Sequence, residues 1–181
     1  MKTLRNLFSL FILSIGFLAC DQDEDIITPI VTQEYFEASV SMQSTGGYPV
    51  GNTSAIFTLN VQFIGEGQSN LLSNIVLENS HTELHADDAK SLTIEEGKFL
   101  LKAAASDEEL YGIYTGFGSK SRGQTEIYET YQIQGGTGRF HNASGFLLVF
   151  SEQFTADCQF TVDCNSRIVT MYGNINLQED S

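Results

Sequence analysis

The sequence predicts an all-β chain, an antiparallel barrel of about eight strands, with a β-sandwich as the alternative. Two observations predict it. Apolar residues recur with a period of two in one run after another, and clusters of Gly, Ser, Thr and Glu separate the runs. After residue 20, no segment carries a helical apolar stripe of twelve or more residues. Strands with one dry face and one wet face belong to antiparallel sheets. Period two does not distinguish closure from stacking, but closure removes the exposed strand edges and so favours the barrel.

The chain has 181 residues, 41% of them apolar, with no low-complexity run, which suits one domain with a tail. There are 23 acids against 9 bases, a formal charge of −14. A phosphate backbone needs a basic face, so nucleic acid is excluded as a partner.

The N-terminus reads as a targeting segment. Lys2 and Arg5 form a short positive region, and Leu7 to Ala19 is an apolar run of thirteen residues. A bilayer crossing needs about 20, whereas this length suits a secretory signal. Phe17-Leu18-Ala19-Cys20 resembles the lipobox of bacterial lipoproteins. That resemblance implies cleavage before Cys20, lipidation of its thiol and a location at the bacterial outer membrane. Removing 19 residues leaves 162, with 7 bases against 23 acids. The next residues, Asp21-Gln22-Asp23-Glu24-Asp25, form an acidic tether that like charges extend. They also resemble the surface-export signals of Bacteroidetes lipoproteins. The expected division is a signal peptide over 1–19, a lipidated tether over 20–34, a barrel over 35–178 and a tail over 179–181.

Strands follow. Phe36, Ala38, Val40 and Met42 alternate with polar residues, as do Phe57, Leu59, Val61 and Phe63. Phe146 to Phe154 reads as a strand, and Val169, Met171, Ile175 and Leu177 mark the last one. Turns are expected at Ser44–Gly47, Gly65–Gly67, Glu95–Gly97, Gly116–Gly118 and Gly135–Gly138, and Ser106-Asp107-Glu108 reads as a loop. Cys158 and Cys164 are the thiols left in an exported chain, where disulfides form. On one straight strand they would sit about 20 Å apart, beyond reach of a bridge. Asp163-Cys164-Asn165-Ser166 is turn-like, so a disulfide in the last hairpin is expected.

The run Gly135-Gly136-Thr137-Gly138-Arg139-Phe140, followed by Ala143-Ser144-Gly145, resembles a motif of the dirigent and allene oxide cyclase type barrels. The resemblance spans roughly residues 38 to 177. It implies an eight-stranded antiparallel barrel. It does not carry over the plant activities, and Ser144 stands where the plant motif has Arg. Read by itself, the run is a structural turn: Gly135, Gly136 and Gly138 admit positive φ. It lacks the Lys-Ser/Thr of a phosphate loop.

Candidate chemistry centres on Glu129, which shares a period-two face with Ile127, Tyr131 and Ile133. Facing inward, its carboxylate would sit in an apolar lumen with Tyr131 or Arg139 as partner, and burial would raise its pKa. A local flip that turns Glu129 to water beside Glu126 is the expected placement. His81, Glu83 and His85 share a strand face, but the two histidines are then roughly 13 Å apart, too far for one ion. No metal or cofactor site is expected. No Ser/His/Asp set or Cys/His pair points to nucleophilic catalysis. The expected function is a non-catalytic, lipid-anchored envelope barrel that binds a small apolar ligand or serves as a surface interaction module. The alternatives are a cyclase or isomerase by fold analogy and a filled, purely structural barrel.

Overall fold

The computed structural model describes residues 30–52, 56–86, 90–121, 124–155 and 165–178. Cys20, Asp87, Asp88, Cys158 and Cys164 lie outside the described residues. Eight strands run in chain order: β1 Val31–Asn52, β2 Ile56–Ser69, β3 Ser73–Ala86, β4 Ser91–Ala103, β5 Glu109–Ser121, β6 Gln124–Gly136, β7 Ser144–Thr155 and β8 Asn165–Gln178. Each pairs antiparallel with the next, and β8 returns to β1 over Val31↔Gln178 to Gln43↔Ser166. The sheet is therefore a closed up-and-down barrel, not a sandwich. The chain does reverse between β7 and β8, whose last pair is Thr155↔Asn165.

Four of the five expected turns lie inside strands. Ser44–Gly47 is in β1, Gly65–Gly67 in β2, Glu95–Gly97 in β4 and Gly116–Gly118 in β5. The first and third coincide with register shifts, between Ser44 and Gly46 and between Ile94 and Gly97. At the latter, Glu96 takes a positive φ of 53°. Bulges bend and twist strands, which closing a small barrel requires. Period two records where a strand runs, but glycine marks bulges and close approaches as readily as turns. The run at Gly135–Gly138 does end a strand. Gly138 sits at φ 59° and opens a short 3₁₀ turn, Gly138–Phe140 (η1), that buries Phe140. Residues 104–108 form a loop, as expected.

The interior divides into two halves. The end carrying the β2–β3, β4–β5 and β6–β7 connections is packed with Phe36, Leu72, Leu77, Leu101, Leu110, Ile133, Phe140, Leu147 and Ile175, all buried. Toward the opposite end, where β1–β2, β3–β4, β5–β6 and β7–β8 connect, the inward positions turn polar. Asn79, His81, Glu83, Thr125, Glu129, Ser151 and Arg167 are buried there.

Candidate functional site in the barrel lumen

On β3 the inward stripe Ile75-Leu77 continues without a break into Asn79, His81 and Glu83. Alternation delivers the polar side chains to the lumen because neighbouring residues take the outer face. Glu129 enters from β6 in the same way, between Ile127 and Tyr131, and is only 4% exposed. The expected outward flip does not occur. The buried pattern of β6 alternates unbroken from Thr125 to Ile133, and a flip would turn Ile127 and Tyr131 to water as well. Gly116 stands opposite Glu129 on β5. A Cβ at 116 would lie 2.7 Å from Glu129 Cγ, so the glycine makes room for the acid side chain.

The partner of Glu129 is Arg167 of β8, not Arg139. Arg139 sits at the apolar end in η1, 42% exposed, stacked on Phe140, paired with Glu108 and donating to the Leu71 carbonyl. Arg167 is buried and lies 4.0 Å over the ring of Phe63. Its Nη2 donates to Glu83 Oε1 at 2.7 Å, and its Nη1 lies 3.7 Å from Glu129 Oε1. One guanidinium therefore stands between two buried carboxylates.

Those carboxylates differ in environment. Burial works against ionising Glu83, but hydrogen bonds from His81 (3.1 Å) and His85 (2.9 Å), with the charge of Arg167, outweigh it. Glu83 is held well below the usual carboxylate range. Both histidines thus reach one carboxylate from opposite sides, an arrangement that their backbone spacing alone conceals. Glu129 has no such set of donors. Burial pushes its pKa up to about 7, against the opposing charge of Arg167. Two carboxyl groups driven apart in this way form a common pattern at sites that handle protons.

Aromatic groups fill the space around them. Tyr114 and Tyr131 stack with centroids 4.4 Å apart, and Phe99 lies 4.8 Å from Tyr131. The Tyr114 hydroxyl is 2.5 Å from His81 Nδ1. Asn79 Nδ2 donates to the Tyr131 hydroxyl at 2.5 Å, and that hydroxyl lies 3.5 Å from Glu129 Oε2. Burial lowers the pKa of His81, so its ring is neutral. With Nε2–H donating to Glu83, Nδ1 accepts the Tyr114 proton. Among the described residues, four buried polar side-chain atoms have no hydrogen-bond partner: Asn79 Oδ1, Glu129 Oε1, Ser151 Oγ and Arg167 Nε.

Of the residues singled out in the sequence, the structure brings Glu129 and Tyr131 together, with Glu83 and both histidines beside them, and leaves Arg139 apart. Asn79, Tyr114, Ser151 and Arg167 were missed. Arg167 was detectable: counting back two from Val169 places it on the dry face of β8, where an arginine is anomalous. A concavity of about 870 Å³ lies on the outer face of β4–β8. There Phe117, Tyr128 and Phe150 stand in register with centroids 5.4 and 5.2 Å apart, beside Leu148 and Tyr172.

The fold and site define an up-and-down barrel with a half-ionic lumen. No family model matches the chain, and no curated protein matches its sequence. Among solved structures it is similar to a pterocarpan synthase dirigent protein, at 12% identity and a TM-score of 0.32, covering 84% of this chain and 94% of that one. The barrel itself rests on its own closed strand pairing.

Proposed function

We propose that this chain is a lipid-anchored barrel of a bacterial outer membrane whose polar half-lumen binds a small, largely apolar ligand bearing a hydroxyl group. The single observation that carries the ligand is the pair of buried, unpartnered atoms on adjacent groups, Glu129 Oε1 and Arg167 Nε. An unsatisfied buried polar atom costs about 1–3 kcal/mol. One hydroxyl can donate to the first and accept from the second, while the rings of Tyr114, Tyr131 and Phe99 offer an apolar wall. The anchor rests on the apolar run ending at Cys20.

A titration followed by amide NMR tests the ligand reading, with benzyl alcohol and toluene as matched probes. The alcohol is expected to shift residues around Glu129, Ser151 and Arg167. Glu129→Leu is expected to weaken the alcohol about tenfold, one charge-assisted hydrogen bond, and to spare toluene. Equal weakening of both probes, or no shift in the lumen, overturns it. A second reading, a surface interaction module, is favoured by the outer aromatic row of exposed Phe117 and Tyr128 with half-buried Phe150, since contiguous apolar patches mark docking sites. Shifts confined to those three residues in the same titration would move the function to the outer face.

A further inference from the structure

The outer wall of the barrel carries another concavity, of about 670 Å³, running across β1 to β5. Two bulges shape it. One interrupts β1 between Ser44 and Gly46, the other β4 between Ile94 and Gly97, and β2 and β3 lie between them. Bulges bend the strand that carries them and re-aim its side chains.

Strand register lays the lining out in two outward rows. In the first, Tyr48 of β1 pairs with Asn60 of β2, which pairs with Thr82 of β3. Their side chains are tied together: Thr82 Oγ1 donates to Asn60 Oδ1 at 2.9 Å, and Asn60 Nδ2 donates to the Tyr48 hydroxyl at 3.2 Å. The Tyr48 O–H remains to donate, and Asn60 keeps a second N–H and a second lone pair. Groups held in place before a ligand arrives lower the ordering cost of binding it. In the second row Gly46, Gln62, Ser80, Lys98 and Ile113 follow one another across five strands. Neighbours within a row stand about 4.8 Å apart, and the rows about 6.6 Å apart.

Gly46 is the gap in this lattice. Its φ lies outside the left-handed region, and a Cβ there would meet nothing within 4 Å, so neither backbone nor packing requires glycine. The missing side chain leaves open space beside Tyr48, which is 61% exposed. Glu96, also in the lining, holds a φ of 53° inside β4. Ser73 and Asn142, the other described non-glycine residues with positive φ, lie at the start of a strand and in a turn. Backbone strain of this kind gathers at functional sites.

The lining also selects the chemistry. Tyr48 and Ile113 offer apolar contact, while Asn60, Gln62, Ser80 and Thr82 both donate and accept. A sugar ring presents the matching combination, apolar C–H faces with hydroxyls around its edge. Lys98 is the one lysine or arginine in the lining, Glu96 offsets it, and the whole chain carries −14, which disfavours an anion. We propose that this groove binds a neutral saccharide. Tyr48 covers a C–H face in the space left by Gly46, and Asn60, positioned by Thr82, bonds the hydroxyls. The site is on the outer face and does not depend on a ligand in the lumen.

Amide NMR of the protein titrated with maltose and with cellobiose tests it. Sorbitol, an open-chain polyol, and glucose 6-phosphate, a sugar ring bearing an anion, are the controls. At least one disaccharide is expected to shift residues 46–48, 60–62 and 80–82, and to bind more tightly than either control. Tyr48→Ala is expected to weaken it about tenfold. Gly46→Leu is expected to abolish binding while thermal unfolding stays as in the wild type. The proposal is overturned if neither disaccharide shifts these residues, if shifts fall only in the lumen, or if either control binds as tightly. It is also overturned if Gly46→Leu folds and binds like the wild type. Should that variant lose stability, Tyr48→Ala decides, and unchanged affinity there overturns the site.

Discussion

Glu129 and Glu83 are both carboxylates inside one barrel, both facing Arg167, and their preferences are opposite. The difference lies in donors. Glu83 accepts from two imidazoles and a guanidinium, whereas Glu129 has a long contact to one tyrosine hydroxyl and a distant arginine. The consequence for stability has a definite sign. Unfolded, Glu129 ionises near the ordinary 4.5; folded, it holds its proton to about 7. Between those values the native state binds more protons, so this residue's contribution to stability falls as pH rises. His81, with its folded pKa lowered, acts in the opposite direction below its ordinary 6.5. The clean quantity is therefore the difference between wild type and Glu129→Gln. We expect the variant to gain about 3 kcal/mol relative to wild type between pH 4.5 and pH 8. Urea unfolding at the two pH values measures it, and an equal difference at both would show that Glu129 is not held protonated.

At the scale of the strand, glycine does different work at different places. Gly116 and Gly97 lie beneath the site: a Cβ at 116 would meet Glu129 Cγ and the Tyr128 carbonyl at 2.7 Å. One at 97 would meet the Tyr114 ring at 2.6 Å. Gly46, at the β1 bulge, has nothing within 4 Å. Gly116→Ala is thus expected to cost about 1–3 kcal/mol through overpacking. Gly46→Ala should stay within about 0.5 kcal/mol. Thermal unfolding of the two variants distinguishes them, and comparable losses would mean that strand entropy dominates over contact with Glu129. The sequence offers no way to separate these glycines, because the clashing atoms belong to the neighbouring strand.

For the molecule as a whole, all eight described strands share in the closed sheet. The proposed lipid would then be the means by which this acidic chain stays at a membrane. We expect Cys20→Ala to abolish incorporation of a palmitate analogue and to release the protein from the membrane fraction. Equal labelling of wild type and variant would refute the anchor. Much of the architecture was legible beforehand. Alternation along β1, β2 and β8 identified strands and their buried faces, because a side-chain period of two is a local property of extended backbone. The same alternation placed Glu129 with Ile127 and Tyr131. Local rules did not reveal that the acid faces inward, that its counterion is Arg167 and not Arg139, or that His81 and His85 share Glu83. Each of those depends on which residues the closed sheet carries to one level of the lumen. The sequence by itself thus determined the all-β class, the strand faces and the turn at Gly135–Gly138. Tertiary structure alone decided the ionic half of the interior, because electrostatic partners form by proximity in space, and the barrel brings Glu83 within reach of Arg167 across 84 residues of chain.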